Sequence, residues 1–532
     1  MRLSKDADEV SRLSFALWFS RNCNVLTSLT FLSMDVGLHG FKTTVQCLPC
    51  PQLQNLRLRG LPLQLQPSDG HAGVLHHCSG LTALTLDQCE IQDGEAAFAA
   101  LAALPQLQHL VIEVPFNKEY LHLLPALQQM SSLTNLNLDY WSTYEAAGCE
   151  DLWQELSEQM EQQSPFSGLV NLQQLRWISP SQGTPFDGLP GGLPSQLVKL
   201  TNLDVNYDYV PTARSQLQQL SSMTALRDLN INIYNSYDTL PDFSVLEKLS
   251  QLTSLGIKCS NLSISAASTS AWASCLTALE RLTLIQCDVQ PAALAALTQL
   301  RALRLAFYEG FAEGHDLLVE LSKLQLLTEL QVQLEYIPDP RPAAPAEAEL
   351  SVLPPAAAFL TSTNLCSLQL GLQNHWDTPL RNWVLFTPGA LYPHLRCIDM
   401  AFEDESTYGL SWTGLVPLSE QQLQQLCSCC PAVRSLAFMA QQAPSPTAFL
   451  PLQQLSALTQ LGIHSIPQLT DPALIPLTAL TALKQLQLST LDTSEPHGYH
   501  KPEDTLSLCN EVSSSALKWD SSSILYHCPC LF

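Results

Sequence analysis

The chain has 532 residues, 46% hydrophobic and 14% charged, with 49 acidic side chains against 25 basic ones and a formal charge of −24. That hydrophobic content excludes a disordered chain, and the acidic balance argues against nucleic acid and anionic lipid as partners, because such a surface repels both. The richest apolar run, AAFAALAALPQLQHLVIEV, is broken by Pro105, Gln106, Gln108 and His109, so no membrane insertion is expected.

Taken in chain order, residues 1–25 come first. Lys5, Asp6, Asp8 and Glu9 precede the apolar patch LSFALWF with no small-residue cleavage pattern, which reads as an N-terminal cap and not as a secretory signal. Seventeen cysteines, an odd number scattered over a long chain, are unlike a dense disulfide framework and fit a reduced, cytoplasmic setting.

From Leu26 the motif LxxLxL recurs through residues 26–490. Two copies are nearly complete, LTALTLDQCEI from Leu81 and LERLTLIQCDV from Leu279. With them about 17 copies can be marked, at spacings of 27, 28, 26 and 26 from Leu26 to Leu133 and 28, 26, 26 and 27 from Leu172 to Leu279. In a strand, positions four and six of the motif point to one face and positions three, five and seven to the other, so one face is apolar and the other is free. Stretches such as EAAFAALAALPQL and PAALAALTQL suit short helices packed behind the strands. A single strand and helix cannot bury its apolar face alone, whereas stacked neighbours can. Seventeen strand spacings make an array of about 80 Å.

Three long intervals interrupt the register, near 141–165, 338–358 and 403–420. The first contains EAAGCEDLWQELSEQMEQQ, where Leu152, Leu156 and Met160 mark an amphipathic helix bearing Glu145, Glu150, Asp151, Glu155, Glu158 and Glu161. A solvated helix and an acidic docking arm for a basic partner are both open. The second is the Pro/Ala-rich YIPDPRPAAPAEAELSVLPPAAAF, read as a loop. The third, FEDESTYGLSWTG, precedes a helix beginning LSEQQL. The interval from Leu279 to Leu300 is only 21 residues, so that copy is tight or its register is wrong. After Leu488 the motif stops, and residues 491–532 read as a C-terminal cap or a disordered tail.

This pattern resembles the leucine-rich repeat family. The resemblance implies an α/β solenoid, a horseshoe with parallel strands on the concave face and short helices on the convex face. The repeat length near 26, with Cys89 and Cys287 at the ninth position, is similar to the cysteine-containing subclass known from F-box proteins. So are Cys50-Pro51-Gln52-Leu53 and Cys430-Pro431-Ala432-Val433, with Cys23 and Cys78 at the same offset. A complete F-box is not expected in the residues ahead of Leu26. The Ala, Gln and Leu bias resembles green-algal members of the family.

Motifs for chemistry are absent from the sequence: no G-x-S-x-G elbow, HExxH, P-loop or GxGxxG occurs. No enzyme, cofactor or metal site is therefore expected. Cys47-x-x-Cys50, the Cys427, Cys429 and Cys430 group, and Cys528-Pro529-Cys530 read as structural thiols, since none has a second ligand pair at finger-like spacing.

The informative residues are those expected on the free strand face. Positions three, five, seven and eight give Asn135, Asn137, Asp139 and Tyr140, then Asn202, Asp204, Asn206 and Tyr207, then Asp228, Asn230 and Asn232, with Trp141, Trp177 and Tyr234 beside them. An amphipathic aromatic patch of this kind fits a protein-binding surface; the plainer reading is that Asn and Asp tolerate solvent. The expected function is a non-catalytic protein-interaction scaffold binding a protein partner, of basic character on one reading. The alternatives are a ubiquitin-ligase substrate receptor and a structural component of a cytoskeletal or axonemal assembly. Oligomeric state is open.

Overall fold

The computed structural model describes residues 25–31, 52–60, 62–63, 78–91, 93–115, 122–141, 166–178, 196–209, 217–235, 243–264, 266–289, 294–307, 320–335, 364–373, 391–400, 417–418, 420–440, 447–466, 471–490 and 505–509, with Arg21, Ala213 and Ser445. The predicted helix over 145–161 and the Pro/Ala-rich segment lie outside them, as do Cys47, Cys50, Cys528 and Cys530. The chain divides into two compact units, Met1–Ser260 with Cys275–Ala278, and Asn261–Ser274 with Leu279–Phe532.

The strand in each copy follows from the parity of its leucines. In the copy from Leu81, Leu84 and Leu86 are buried while Ala83 and Thr85 between them are part-exposed. The strands up to residue 264 are β1 (Ser28–Phe31), β2 (Asn55–Arg59), β3 (Pro62–Leu63), β4 (Ala83–Asp87), β5 (Glu90–Ile91), β6 (His109–Pro115), β7 (Asn135–Trp141), β8 (Gln174–Ile178), β9 (Asn202–Tyr209), β10 (Asp228–Asn235) and β11 (Ser254–Ile264). In the first unit β1, β2, β4, β6, β7, β8, β9, β10 and β11 pair in that order, every pair parallel. Strands β3 and β5 make a small parallel pair of their own.

The second unit repeats the plan with β12 (Arg281–Val289), β13 (Ala302–Phe307), β14 (Glu329–Glu335), β15 (Ser367–Gln373), β16 (Cys397–Asp399), β17 (Pro417–Leu418), β18 (Ser435–Ala440), β19 (Gln460–Ile466) and β20 (Gln485–Thr490). Leu282 and Leu284 face Leu303 and Leu305 in register, so the short interval after Leu279 tightens the connection and leaves the ladder intact. Strand β21 (Thr505–Cys509) comes from the segment read as cap or tail and pairs antiparallel with β20, with Leu506 opposite Leu488 and Leu508 opposite Leu486. The other pairings in this unit are parallel.

Behind the strands lie short helices, α1 (Gly94–Ala102), α2 (Leu123–Leu127), α3 (Ala266–Cys275), α4 (Glu420–Cys429) and α5 (Asp471–Leu474), together with single 3₁₀ turns. Helix α1 matches the predicted EAAFAALAAL segment. Its start is fixed by Asp93, whose side chain accepts a 3.1 Å hydrogen bond from the Ala96 N–H, and it buries Ala97, Phe98 and Leu101. Helix α4 matches the LSEQQL segment and buries Leu423, Leu426, Cys427 and Cys429.

A turn before each strand explains the cysteines. The first leucine of the motif donates its N–H to the carbonyl three residues back, as in Leu107 to Leu104, Leu133 to Met130, Leu172 to Leu169, Leu81 to Cys78 and Val433 to Cys430. The residue at that offset is buried in each copy, so Cys78 and Cys430 take a core position that Leu or Met holds elsewhere. Cys89 and Cys287 are buried too, each donating its thiol to the carbonyl two residues back.

Position two of the motif carries a second device. Thr82, Thr134, Thr253, Thr328 and Thr459 each donate their hydroxyl, at 3.0–3.2 Å, to the carbonyl of the residue at position two in the preceding copy. Replacing Thr82, Thr134 and Thr253 together by Val removes three such bonds, and a denaturant melt should show a loss of about 2 kcal/mol. The repeated strands, turns and helices make each unit an α/β leucine-rich repeat solenoid.

Candidate functional site

The free face of the first unit is organised as three cross-strand rows, because parallel pairing puts equivalent motif positions side by side. Position three contributes Asn55, Ala83, His109, Asn135, Gln174, Asn202, Asp228 and Ser254. Position five contributes Arg57, Thr85, Val111, Asn137, Arg176, Asp204, Asn230 and Gly256. Position seven contributes Arg59, Asp87, Glu113, Asp139 and Ile178 across β2 to β8, and Asn206, Asn232 and Lys258 across β9 to β11.

Amide side chains hold one part of this face. Asn135 Nδ2 donates to Gln174 Oε1 at 2.6 Å, Asn202 Nδ2 to Asp228 Oδ2 at 2.8 Å, and Asn232 Nδ2 to Asn206 Oδ1 at 2.7 Å. Asn206 is buried beneath this cover, and Asn230 stands exposed. The Asn230 side chain lies over Gly256, where any Cβ would meet its amide oxygen, with Cγ only 3.0 Å away.

Charged side chains hold the other part. Arg176 bridges two strands, with Nη2 3.5 Å from Asp139 Oδ2 and Nε 3.5 Å from Asp204 Oδ2. Asp87, which is buried, lies 3.3 Å from Arg57 and 3.4 Å from Arg59. Glu113 sits between Asp87 and Asp139 in the same row. Burial raises its pKa, the two neighbouring carboxylates add to the rise, and Arg176 and Arg57 oppose it. Burial also raises Asp139 and Asp204; Arg176 opposes both shifts, and Asp139 adds to that of Asp204.

These carboxylates are held above the ordinary carboxylate range, so the folded state binds protons more readily than the unfolded chain. Their contribution to stability therefore falls as pH rises through the elevated folded values, and improves as pH falls toward the ordinary range. Asp204→Asn should raise the melting midpoint at pH 7 by about 1–3 °C. The gain should shrink near pH 4, as a pH series of thermal melts would show.

Two predicted surface residues are interior ones. Trp177 stands at position six of its copy, on the parity of Leu175, and is buried with its ring edge-on to Phe166 at 5.8 Å and 87°. Tyr207 shares the parity of Leu203 and Val205 in β9 and is fully buried. Position eight faces inward in β9, β10 and β11, where Tyr207, Ile233 and Cys259 are buried, which corrects the expectation of an outward tyrosine at 207. Tyr140 and Trp141 lie in β7 and Tyr234 in β10, with side chains outside the described set. Asn135, Asn137, Asp139, Asn202, Asp204, Asp228, Asn230 and Asn232 keep the outward parity.

Sequence reasoning missed Arg57, Arg59, Asp87, Glu113 and Arg176. Their signal was available, since each occupies position five or seven of its own copy.

The thiol group at the end of α4 is chemically quiet. Burial pushes Cys427 up to about 12 and also raises Cys429 and Cys430. Thiols held protonated in this way are poor nucleophiles. Among the described residues no three His, Cys, Asp or Glu side chains are grouped to hold a metal ion, and no helix is long and apolar enough to cross a membrane.

No protein-family model matches the chain, and no curated protein matches it. Among solved structures it is similar to the internalin InlF from Listeria monocytogenes, at 15% identity over 80% of this chain and 86% of that one, with a TM-score of 0.30. It is similar to the chain in the TLR13–ssRNA13 complex at 15% identity, over 88% and 73%, with a TM-score of 0.36. The functional domain of InlJ from Listeria monocytogenes matches at 13% identity over 88% and 70%, with a TM-score of 0.29.

Proposed function

We propose that this leucine-rich repeat chain is a non-catalytic scaffold that binds a protein partner on the strand face of its first unit. The observation that carries the reading is the three-row surface of amides and paired charges, displayed on adjacent parallel strands whose other face is a leucine core. Such a surface offers many donors and acceptors at fixed spacing, with little rearrangement needed on binding.

The charges on the described face are interleaved. Asp87, Glu113, Asp139, Asp204 and Asp228 are set among Arg57, Arg59, Arg176 and Lys258, and several are already paired. A partner carrying both signs of charge and exposed main-chain groups fits this better than a uniformly basic one. The same proposal places the protein in a reducing, cytoplasmic setting, supported by ten cysteines that stand as free thiols among the described side chains.

Affinity purification followed by mass spectrometry, with wild type beside an Asn137→Ala, Arg176→Ala, Asn230→Ala variant, tests the reading. Loss of a specific partner in the variant, with an unchanged far-ultraviolet spectrum, is the expected result. Recovery of the same partners by both proteins would overturn it.

A further inference from the structure

In the second unit, residues at position two of the motif stack in a column along the edge where the strands begin. Backbone bonds of 2.7–2.8 Å link them in succession: Arg396 N–H to Cys366 O, Arg434 to Arg396 O, Thr459 to Arg434 O, and Lys484 to Thr459 O. Three of the four copies from β16 to β20 thus place a cation on this edge, and all three side chains are exposed. We propose that Arg396, Arg434 and Lys484 form a docking edge for a short, extended, acidic peptide segment of a partner protein.

Among the described residues these cations have no carboxylate partner. Among the described residues no ion pair or side-chain hydrogen bond engages any of the three. Other basic side chains of the chain do find carboxylates: Arg301 lies 3.7 Å from Glu280, Lys323 lies 2.6 Å from Glu320, and Arg57 and Arg176 are paired on the first unit's face. Here the next position on the strands holds Cys397, Ser435, Gln460 and Gln485, none of them acidic.

The fold does not require neighbouring cations at this place. The equivalent column of the first unit runs through Gln54, Thr82, Gln108, Thr134, Gln173, Thr201, Arg227 and Thr253, a single cation with uncharged neighbours on both sides. Stacking Arg396 directly on Arg434, one strand spacing of about 4.8 Å apart, carries a like-charge cost that an uncharged pair avoids. An anionic ligand removes that cost.

The spacing selects the ligand. From Arg396 to Lys484 is three strand spacings, about 14 Å, which an extended peptide covers in roughly four or five residues. Carboxylates on alternate residues of such a peptide fall about 7 Å apart on one side, within reach of long, exposed arginine and lysine side chains. Thr459, between the cations, has its hydroxyl engaged on the Arg434 carbonyl and presents no competing charge. Three cations on a chain of net charge −24 are too few to hold a nucleic-acid backbone, whose charge is dense and continuous.

Fluorescence anisotropy of a labelled octapeptide of alternating glutamate and serine, titrated with the full chain at low salt, tests the proposal beside a single-stranded RNA decamer. The Arg396→Gln, Arg434→Gln, Lys484→Gln variant should bind the peptide about tenfold or more weakly than wild type. Its thermal melt should match wild type, because the three side chains are exposed. Equal peptide affinity in the two proteins, absence of peptide binding by wild type, or tighter binding of the RNA than of the peptide would each overturn it.

Discussion

Gly168→Ala is expected to destabilise the first unit by about 3 kcal/mol or more, lowering its melting midpoint by roughly 6–12 °C. Gly168 lies in the turn before β8, where the chain runs against the backbone of the previous copy at Gln128. A Cβ added there would collide with the Gln128 carbonyl oxygen and lie 2.6 Å from its carbonyl carbon and 2.9 Å from its Cα. The obstacle is backbone and not a flexible side chain, so relief requires moving one copy against the next. Gln128 follows α2 directly, and the displacement would reach the helix side of the unit. A calorimetric scan of the variant beside wild type measures the effect, and a midpoint within a degree of wild type would refute the close approach.

Trp177→Ala should cost about 3–5 kcal/mol, the range for deleting a large buried aromatic side chain. The residue fills the place of the motif's last leucine, and its edge-on contact with Phe166 ties the strand to the turn that precedes it. Trp177→Phe keeps a ring in that place and should recover much of the loss, whereas a solvent-facing tryptophan would tolerate both changes. Urea melts of the three proteins separate these outcomes. Partner binding by folded Trp177→Phe should stay near wild type, because the ring does not reach the surface.

How much of this was legible in the sequence depends on the distance over which each feature is specified. Strand parity is local, so Leu136 and Leu138 inward with Asn135, Asn137 and Asp139 outward follow from the motif alone. Trp177 and Tyr207 show the same rule misapplied: both sit on the leucine parity, and their aromatic chemistry suggested a surface that their positions deny. The turn position of Cys78 and Cys430 was visible as an offset, but its reason, a buried N–H to carbonyl bond, required the fold.

Cross-strand features were harder to see. Arg57 meets Asp87, and Arg176 meets both Asp139 and Asp204, only after 28-residue to 39-residue intervals are folded into register. Nothing near any one of these residues announces its partner. The antiparallel β21 was missed for a related reason: Leu506 and Leu508 keep the alternation of a strand, but they lack the spacing of the repeat.

Site-specific photo-crosslinking tests the central claim most directly. A benzoylphenylalanine placed at Asn230, exposed on the strand face, is compared with one at Glu95, exposed on the helix α1 side. The account predicts a discrete partner adduct from position 230 and none from position 95. Adducts from position 95 alone, or equally from both, would contradict the assignment of binding to the strand face.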